Sequence, residues 1–425
     1  MRFVSYWQDS ATPFDSPRKG PVEGRFDVAI IGGGFTGLAA ARRLAKGGAT
    51  VVVLEAGRVG GGASGRNGGH INNGLAHSYL AAKAEFGTDK AVALYRAFDD
   101  AVDTVERLVT EEGIDCAFRR CGKLKLASKR EHFDSIARNF VALNAEADPE
   151  TALLGADELK GEIGSPGFHG AMLSRKAAMM HMGRFVTGLA DTAKRAGAVI
   201  FEDAAVIART REAGRHRLTT ARGAVLADQV LIATGAYTSG PFAALRRRII
   251  PVGSFLIATR PLTQAEVEAT VPGDRTYVTS MNIGNYFRLS PDRRLIFGGR
   301  ARFSARVDQR SDAKSGAVLQ ASLARIFPHL ADVGIDYCWG GLVDMTQDRY
   351  PRAGMLDGLH YAMGYSGHGT HMSVHMGEVM ADILLGREDR NPFRGLAWPA
   401  LPLYSGTPWF LPAVGLWYRL QDKIR

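Results

Sequence analysis

The chain has 425 residues, 46% hydrophobic and 23% charged, the balance of a globular protein with room for two packed domains. Its formal net charge is +10, but the basic residues are scattered apart from Arg246-Arg247-Arg248 and are not interleaved with aromatics, which argues against a nucleic-acid platform. Cys116, Cys121 and Cys338 have neither CxxC nor metal-ligand spacing, so no metal centre and no disulfide framework is expected. No apolar stretch is long and continuous enough for a leader or a membrane span, and the expected location is the cytoplasm.

In chain order, Asp27-Val28-Ala29-Ile30-Ile31 is an apolar strand that runs into Gly32-Gly33-Gly34-Phe35-Thr36-Gly37 and then into the helical stretch Leu38-Ala39-Ala40-Ala41. In this G-x-G-x-x-G spacing Gly32 makes the tight turn, Gly34 lets backbone approach a pyrophosphate, and Gly37 lets the helix pack on the strand. The helix N-terminus then offers unpaired N–H groups to the phosphates. A second strand, Val51-Val52-Val53-Leu54, ends in Glu55, whose carboxylate accepts from ribose hydroxyls and repels a 2′-phosphate, so NADP is not expected.

A second glycine-rich loop spans 58–70 and reads as backbone approaching a ligand. Helical periodicity covers about 78–112 and 131–147, on either side of a short strand, Lys123-Leu124-Lys125-Leu126. An amphipathic helix at 183–196 leads to Ala198-Val199-Ile200-Phe201 and to a meander through Leu218, Val225 and Leu226. The buried strand Gln229-Val230-Leu231-Ile232-Ala233 ends in the turn Thr234-Gly235-Ala236-Tyr237. Residues 249–299 are strand-rich, with Tyr286-Phe287-Arg288-Leu289 and Leu295-Ile296-Phe297-Gly298-Gly299 paired around Ser290-Pro291-Asp292. A helix is expected near 312–327 and strands up to Gly364, after which Tyr365-Ser366-Gly367-His368-Gly369-Thr370-His371 opens a helix running to about Leu385.

Nucleotide-type segments therefore stand at the start, middle and end, and both domains are expected to be discontinuous. They are 1–80, 170–240 and 340–390 for the nucleotide, and 81–169 and 241–339 for the substrate, followed by a tail, 391–425. The aromatic stretch at 408–419 reads as docking on the protein's own surface, with peripheral contact at the inner membrane as the rival reading.

Ser5-Tyr6-Trp7, the fingerprint with Glu55, Ala63-Ser64-Gly65-Arg66-Asn67-Gly68-Gly69, Ala233-Thr234-Gly235-Ala236-Tyr237, the Tyr286 hairpin and Gly364-Tyr365-Ser366-Gly367-His368-Gly369 occur in the order found in one family. Over most of its length the chain resembles the FAD-dependent oxidases and dehydrogenases of the D-amino-acid oxidase superfamily, in the branch similar to sarcosine oxidase and gamma-glutamylputrescine oxidoreductase. The resemblance implies an α/β fold: a Rossmann-type, glutathione-reductase-like FAD-binding domain with a discontinuous α+β substrate domain built on an antiparallel sheet. It also implies that FAD contacts Gly32, Gly34, Phe35, Thr36, Gly37, Glu55, Ala56, Ala63, Ser64, Arg66, Asn67, Gly68, Gly69, Val206, Thr234, Gly235, Gly367, His368, Gly369 and Thr370. The last four bring N–H groups to the pyrimidine edge of the flavin.

Departures from sarcosine oxidase shape the remaining expectations. Its flavin-linking cysteine falls near Gly341, three residues from Cys338, so FAD is expected to be non-covalent, with His70 a weaker candidate for a tether. Its oxygen-activating lysine falls near Ile296, which implies slow reaction with oxygen and leaves another electron acceptor open. Its carboxylate clamp maps to Gly69 and His371, with Arg288 or Arg300 as replacements. The implied reaction is hydride transfer from the carbon of a neutral amine to flavin N5, giving an imine that hydrolyses, with Tyr286, His371 and Arg66 facing the substrate. The expected substrate is gamma-glutamylputrescine or a polyamine-like amine. The alternatives are a cyclic, N-alkyl or D-amino acid, or a non-catalytic or partner-dependent flavoprotein subunit. His181 is expected in the core or at a strand end.

Overall fold

The computed structural model describes residues 1–304 and 313–424, without the side chains of Arg300, Ala301, Arg302 and Lys423. The strand Val22–Ile31 lies at the centre of the first sheet, paired in parallel with Gly223–Ile232 on one side and Val51–Leu54 on the other; Val199–Phe201 follows outside the latter. Residues 28–31 and 51–54 are all buried, as expected of parallel strands covered on both faces. The helix Phe35–Lys46 covers one face with Leu38, Ala39, Ala40, Ala41 and Leu44. Against it lies the late helix Gly369–Leu384, so close at Gly377 that a Cβ there would stand 2.5 Å from the Thr36 carbonyl oxygen.

A third helix, Thr88–Glu112, joins this layer. Arg42, with a side chain 4% exposed, pairs with both Glu112 and Glu378, and Arg107 also reaches Glu378. The helix Thr88–Glu112, expected with the substrate half, thus packs on the nucleotide layer, while the strands Lys123–Leu126 and Ala152–Gly155 of the same expected segment lie in the second sheet. One long apolar face of the helix meets the nucleotide layer through Phe98, Val102 and Val105.

The second sheet runs in the order Ile335–Met345, Ile250–Pro261, Arg294–Arg302, Tyr286–Leu289, Thr276–Thr279, Lys123–Leu126, Gly170–Ser174 and Ala152–Gly155. All its pairs are antiparallel except Lys123–Leu126 with Thr276–Thr279, which are parallel. Two boundaries move as a result. Gly170–Ser174 pairs with Lys123–Leu126 and so lies in this sheet, and Ile335–Met345 belongs to it along its whole length instead of dividing at 340.

Alternation gives the sheet two unlike faces. On one, Tyr277, Phe287 and Phe297 stack at 5.2 and 5.6 Å, with Leu124 and Leu126 in the same cluster under the helix Ala313–Ile326. On the other, one cross-strand row carries Lys125, Val278, Tyr286, Gly298 and Leu256. This second face looks toward the nucleotide half, and Leu256, Ile296 and Trp339 share that half's core.

The N-terminal segment fastens the two halves together, with the Tyr6 hydroxyl donating to Asp292 in the turn of the second sheet at 2.6 Å. Buried Trp7 donates from Nε1 to the Asn67 carbonyl at 2.6 Å, and Ser5 Oγ donates to the Gly65 carbonyl at 2.7 Å.

Candidate active site

At the fingerprint turn Gly32 has φ +110°, and a Cβ there would sit 2.7 Å from the Ala233 carbonyl oxygen. At Gly37 a Cβ would run into the Gly32 carbonyl, because the helix begins directly on the strand end. Phe35 is buried, and Thr36 Oγ1 lies 2.8 Å from the Tyr365 hydroxyl, which ties the starts of the two long helices together. Neither helix has a side-chain cap from its N-cap residue, Gly34 in one case and His368 in the other. Apart from Phe35 N–H, which Ser64 takes up, their first-turn N–H groups are left for an anion.

Glu55 ends the second strand and accepts from the N–H groups of Gly33 at 2.6 Å and Gly57 at 2.9 Å, bracketing Ala56. Burial holds its carboxyl above the ordinary value, against the pull of those N–H groups, and Glu202 adds to the rise. Val206 has its side chain in the core under the first sheet, at the bend before Ala208–Glu212.

The second glycine loop is held by its own polar groups. Ser64 Oγ accepts from Phe35 N–H at 3.0 Å, within the single helical turn Ala63–Gly65. Arg66 donates to the carbonyls of Gly61 at 2.9 Å and Gly340 at 3.1 Å, and burial lowers its pKa. Asn67 Oδ1 accepts from Gly69 N–H at 2.8 Å and lies 3.4 Å from Thr370 Oγ1, which joins this loop to the late one. In the late loop Gly367 is exposed with φ +91°, and Gly369 and Thr370 start the helix. Thr234 and Gly235 lie at a turn closed by the Thr234–Thr238 hydroxyl contact at 2.7 Å.

Arg66, His70, Tyr286, Asp344, His368, Lys123 and Lys125 are deep enough for burial to dominate their protonation, yet each keeps some accessible surface. Tyr286, Lys123 and Lys125 stand on the sheet face that looks toward the nucleotide half, with His70 against Tyr286 and His368 close to the lysines, and the space they face is the candidate substrate chamber. The Tyr286 hydroxyl lies 3.2 Å from Ser254 Oγ, its pKa is raised by burial, and its ring meets His70 edge-on at 5.4 Å. His70 has Nδ1 at 3.1 Å from the Gly68 carbonyl and Nε2 at 3.3 Å from the Phe287 carbonyl, and burial, with Arg288 next, pushes it down to about 3.

Two expectations change. Arg288 is 1% exposed and donates to the main-chain carbonyls of Gly68, Leu289 and Met180 at 3.1, 3.0 and 2.6 Å, with its guanidinium 4.9 Å from the Trp7 ring; it fastens backbone and does not reach into the chamber as a carboxylate clamp. His371 is 1% exposed and faces Phe98 on the neighbouring helix at 5.9 Å; burial, with His368 next, holds it well below its usual pKa. It sits inside the contact between the helices and not on the chamber wall. The Arg300 side chain lies outside the described residues.

Cys338 points away from Gly341. It is buried against the helix Ala313–Ile326, while Gly341 on the opposite face adjoins the Arg66 side chain. His181 caps the helix Met182–Arg195 by accepting from Arg184 N–H at 3.2 Å.

Sequence reasoning missed three residues. Asp344 joins the Thr234–Tyr237 turn to the late loop by accepting from Gly364 N–H at 2.6 Å, and burial pushes its carboxyl up to about 6. Lys123 and Lys125 alternate along one strand, a pattern that marks a polar sheet face without saying what the face meets.

The residues present fit FAD. Two helix starts without a cap from their own N-cap residues, a turn with no room for a Cβ and an acid following the second strand are the groups a dinucleotide needs.

A profile of the family described as DAO, FAD dependent oxidoreductase, matches residues 27–383. The chain is 32% identical over 438 residues to the probable oxidoreductase OrdL of Haemophilus influenzae, covering 99% of this chain and 97% of that protein. It is 31% identical over 429 residues to gamma-glutamylputrescine oxidoreductase of Escherichia coli, covering 99% and 98%. The solved structure of glycine oxidase from Geobacillus kaustophilus matches with a TM-score of 0.74 at 25% identity, over 90% of this chain and 98% of that one.

Proposed function

The chain belongs to the DAO family of FAD-dependent oxidoreductases, which act on amines and amino acids, and on that premise we propose that it oxidises the C–N bond of a gamma-glutamylputrescine-like amine in place of an α-amino acid. The observation that carries this reading is the state of Arg288. Each of its three nitrogens donates to a main-chain carbonyl and it is 1% exposed, and the neighbouring Gly69 has no side chain, so neither supplies the cation an α-carboxylate needs beside the reacting carbon.

FAD when bound supplies two-electron oxidation of the amine carbon, and the expected attachment is non-covalent. The chain's own contributions are placement and charge. Arg66 brings positive charge to the flavin side of the chamber, which disfavours an ammonium ion and holds the reacting nitrogen neutral. The Tyr286 hydroxyl, set by Ser254, orients that nitrogen. The N–H groups of Gly369 and Thr370 favour negative charge at the helix start. Ile296 is fully buried among apolar side chains and brings no charge to favour oxygen reduction, so an acceptor other than oxygen is expected.

Anaerobic mixing of the flavin-loaded protein with a panel of amines and amino acids tests this. Bleaching of the oxidised flavin band by gamma-glutamylputrescine supports the reading, and bleaching by glycine, sarcosine or pipecolate alone overturns it. The match to glycine oxidase favours that second reading. No bleaching by any of them returns the non-catalytic or partner-dependent subunit.

A membrane contact for the tail is favoured by one observation. The helix Leu411–Ile424 docks on the protein through Leu411, Gly415, Tyr418 and Asp422, but turns Leu416, Trp417 and Leu420 outward at 59%, 59% and 45% exposure. With a net charge of +10, contact with an anionic bilayer is the expected use of that ridge. Co-sedimentation with anionic vesicles that disappears on replacing Leu416 and Trp417 by serine supports it; unchanged sedimentation refutes it.

A further inference from the structure

Lys123 and Lys125 are an unusual pair to find inside a protein. They stand on the strand Lys123–Leu126 two positions apart, so both project from the sheet face that carries Tyr286, while Leu124 and Leu126 enter the opposite core. The register fixes their relation to the reacting end. Lys125 pairs with Val278 and Val278 with Tyr286, so Lys125 and Tyr286 share one row two strands apart, on the order of 10 Å between backbones.

Among the described residues Lys125 has no hydrogen bond or ion pair. Lys123 donates to the Asn73 carbonyl at 2.5 Å. The acids nearest it are engaged elsewhere: Asp99 pairs with Lys176 at 2.9 Å and accepts from Asn73 at 2.9 Å, and Asp148 accepts from Tyr95 at 3.0 Å. Ser174, the cross-strand partner of Lys123, has a buried hydroxyl with no hydrogen-bond partner, as does the Asn73 side-chain oxygen. Across the chamber His368 and its loop feel both lysines. An unpaired ammonium deep in a protein is costly unless an anion joins it.

We propose that Lys123 and Lys125 form an anion subsite at the far end of the substrate chamber, which selects amines bearing a carboxylate remote from the carbon that is oxidised. This rests on the amine-oxidation reading and names its substrate class. An α-amino acid holds its carboxylate one bond from the reacting carbon and cannot span the row from Tyr286 to Lys125. A γ-glutamyl amine can, with its terminal amine at Tyr286 and its carboxylate at the lysines.

The test uses the flavin-loaded full chain and the variants Lys125→Met and Lys125→Arg. Gamma-glutamylputrescine is compared with N-acetylputrescine, which has the same reacting end and no carboxylate. Lys125→Met is expected to raise KM for the first by about tenfold or more with little change in kcat, and to leave N-acetylputrescine unaffected, while Lys125→Arg keeps the preference. Calorimetric binding of glutarate, which has no amine to oxidise, is expected to weaken about tenfold in Lys125→Met. Equal loss for both amines, or glutarate binding that is absent in the unaltered protein or indifferent to Lys125, overturns the subsite. Lysine-dependent glutarate binding without bleaching by either amine leaves the subsite standing and removes the amine reading.

Discussion

Replacing Arg288 by methionine separates two roles for the buried guanidinium. Its three hydrogen bonds to Gly68, Leu289 and Met180 carbonyls have a charged donor, worth about 1.5–3 kcal/mol each, or roughly 5–9 kcal/mol together. Against this, burial pushes the arginine down from 12.5 to about 10, a penalty near 3 kcal/mol for keeping it charged. Methionine restores the packing over Trp7 but no donor, so the expected net loss is about 2–6 kcal/mol. Urea unfolding followed by tryptophan fluorescence reads that loss, since Trp7 lies under the guanidinium and its indole N–H holds Asn67 in place. Flavin bleaching on the same variant reads the alternative. A variant with an unchanged urea midpoint that no longer responds to carboxylate-bearing substrates would refute the reasoning, because the guanidinium would then serve the substrate and not the backbone.

Gly37→Val should give protein without FAD after gel filtration, because the added side chain meets the Gly32 carbonyl and lifts the helix start from the phosphate turn; a retained yellow colour would contradict this. Asp344 has a folded pKa of about 6, above its ordinary 3.8, so its contribution to stability is fully present below the unfolded value and is lost as pH rises through about 6. Asp344→Asn keeps an acceptor for Gly364 N–H and should therefore raise the melting temperature at pH 8, by a gain of about 1–3 kcal/mol that fades toward pH 4. Acid precipitation should release all the flavin, since Cys338 faces the helix Ala313–Ile326 and both His70 nitrogens face carbonyls; flavin retained in the pellet would reveal a tether.

The parts of this site that depend on backbone geometry were legible in the sequence, and the parts that depend on distant partners were not. Gly32 and Gly37 announce themselves because no other residue fits, and Glu55 because strand length sets where an acid can follow. Arg288 reads as an available cation on a hairpin next to the substrate. Its acceptors at Gly68 and Met180 come from segments 220 and 108 residues away, and main-chain carbonyls leave no trace in side-chain identity. The parallel pairing of Lys123–Leu126 with Thr276–Thr279 joins segments with no periodicity in common, and it turns the meaning of the two lysines around. Alternating lysine and leucine ordinarily describes a strand with one face in water, where each ammonium is hydrated and unremarked. Here the face that carries the lysines looks toward the nucleotide half, which puts those ammonium groups inside the molecule, opposite the late loop. The physical demand for a counter-charge there comes from the packing of that face against the other half and not from the local sequence, and it makes the far end of the chamber the place where substrates are told apart.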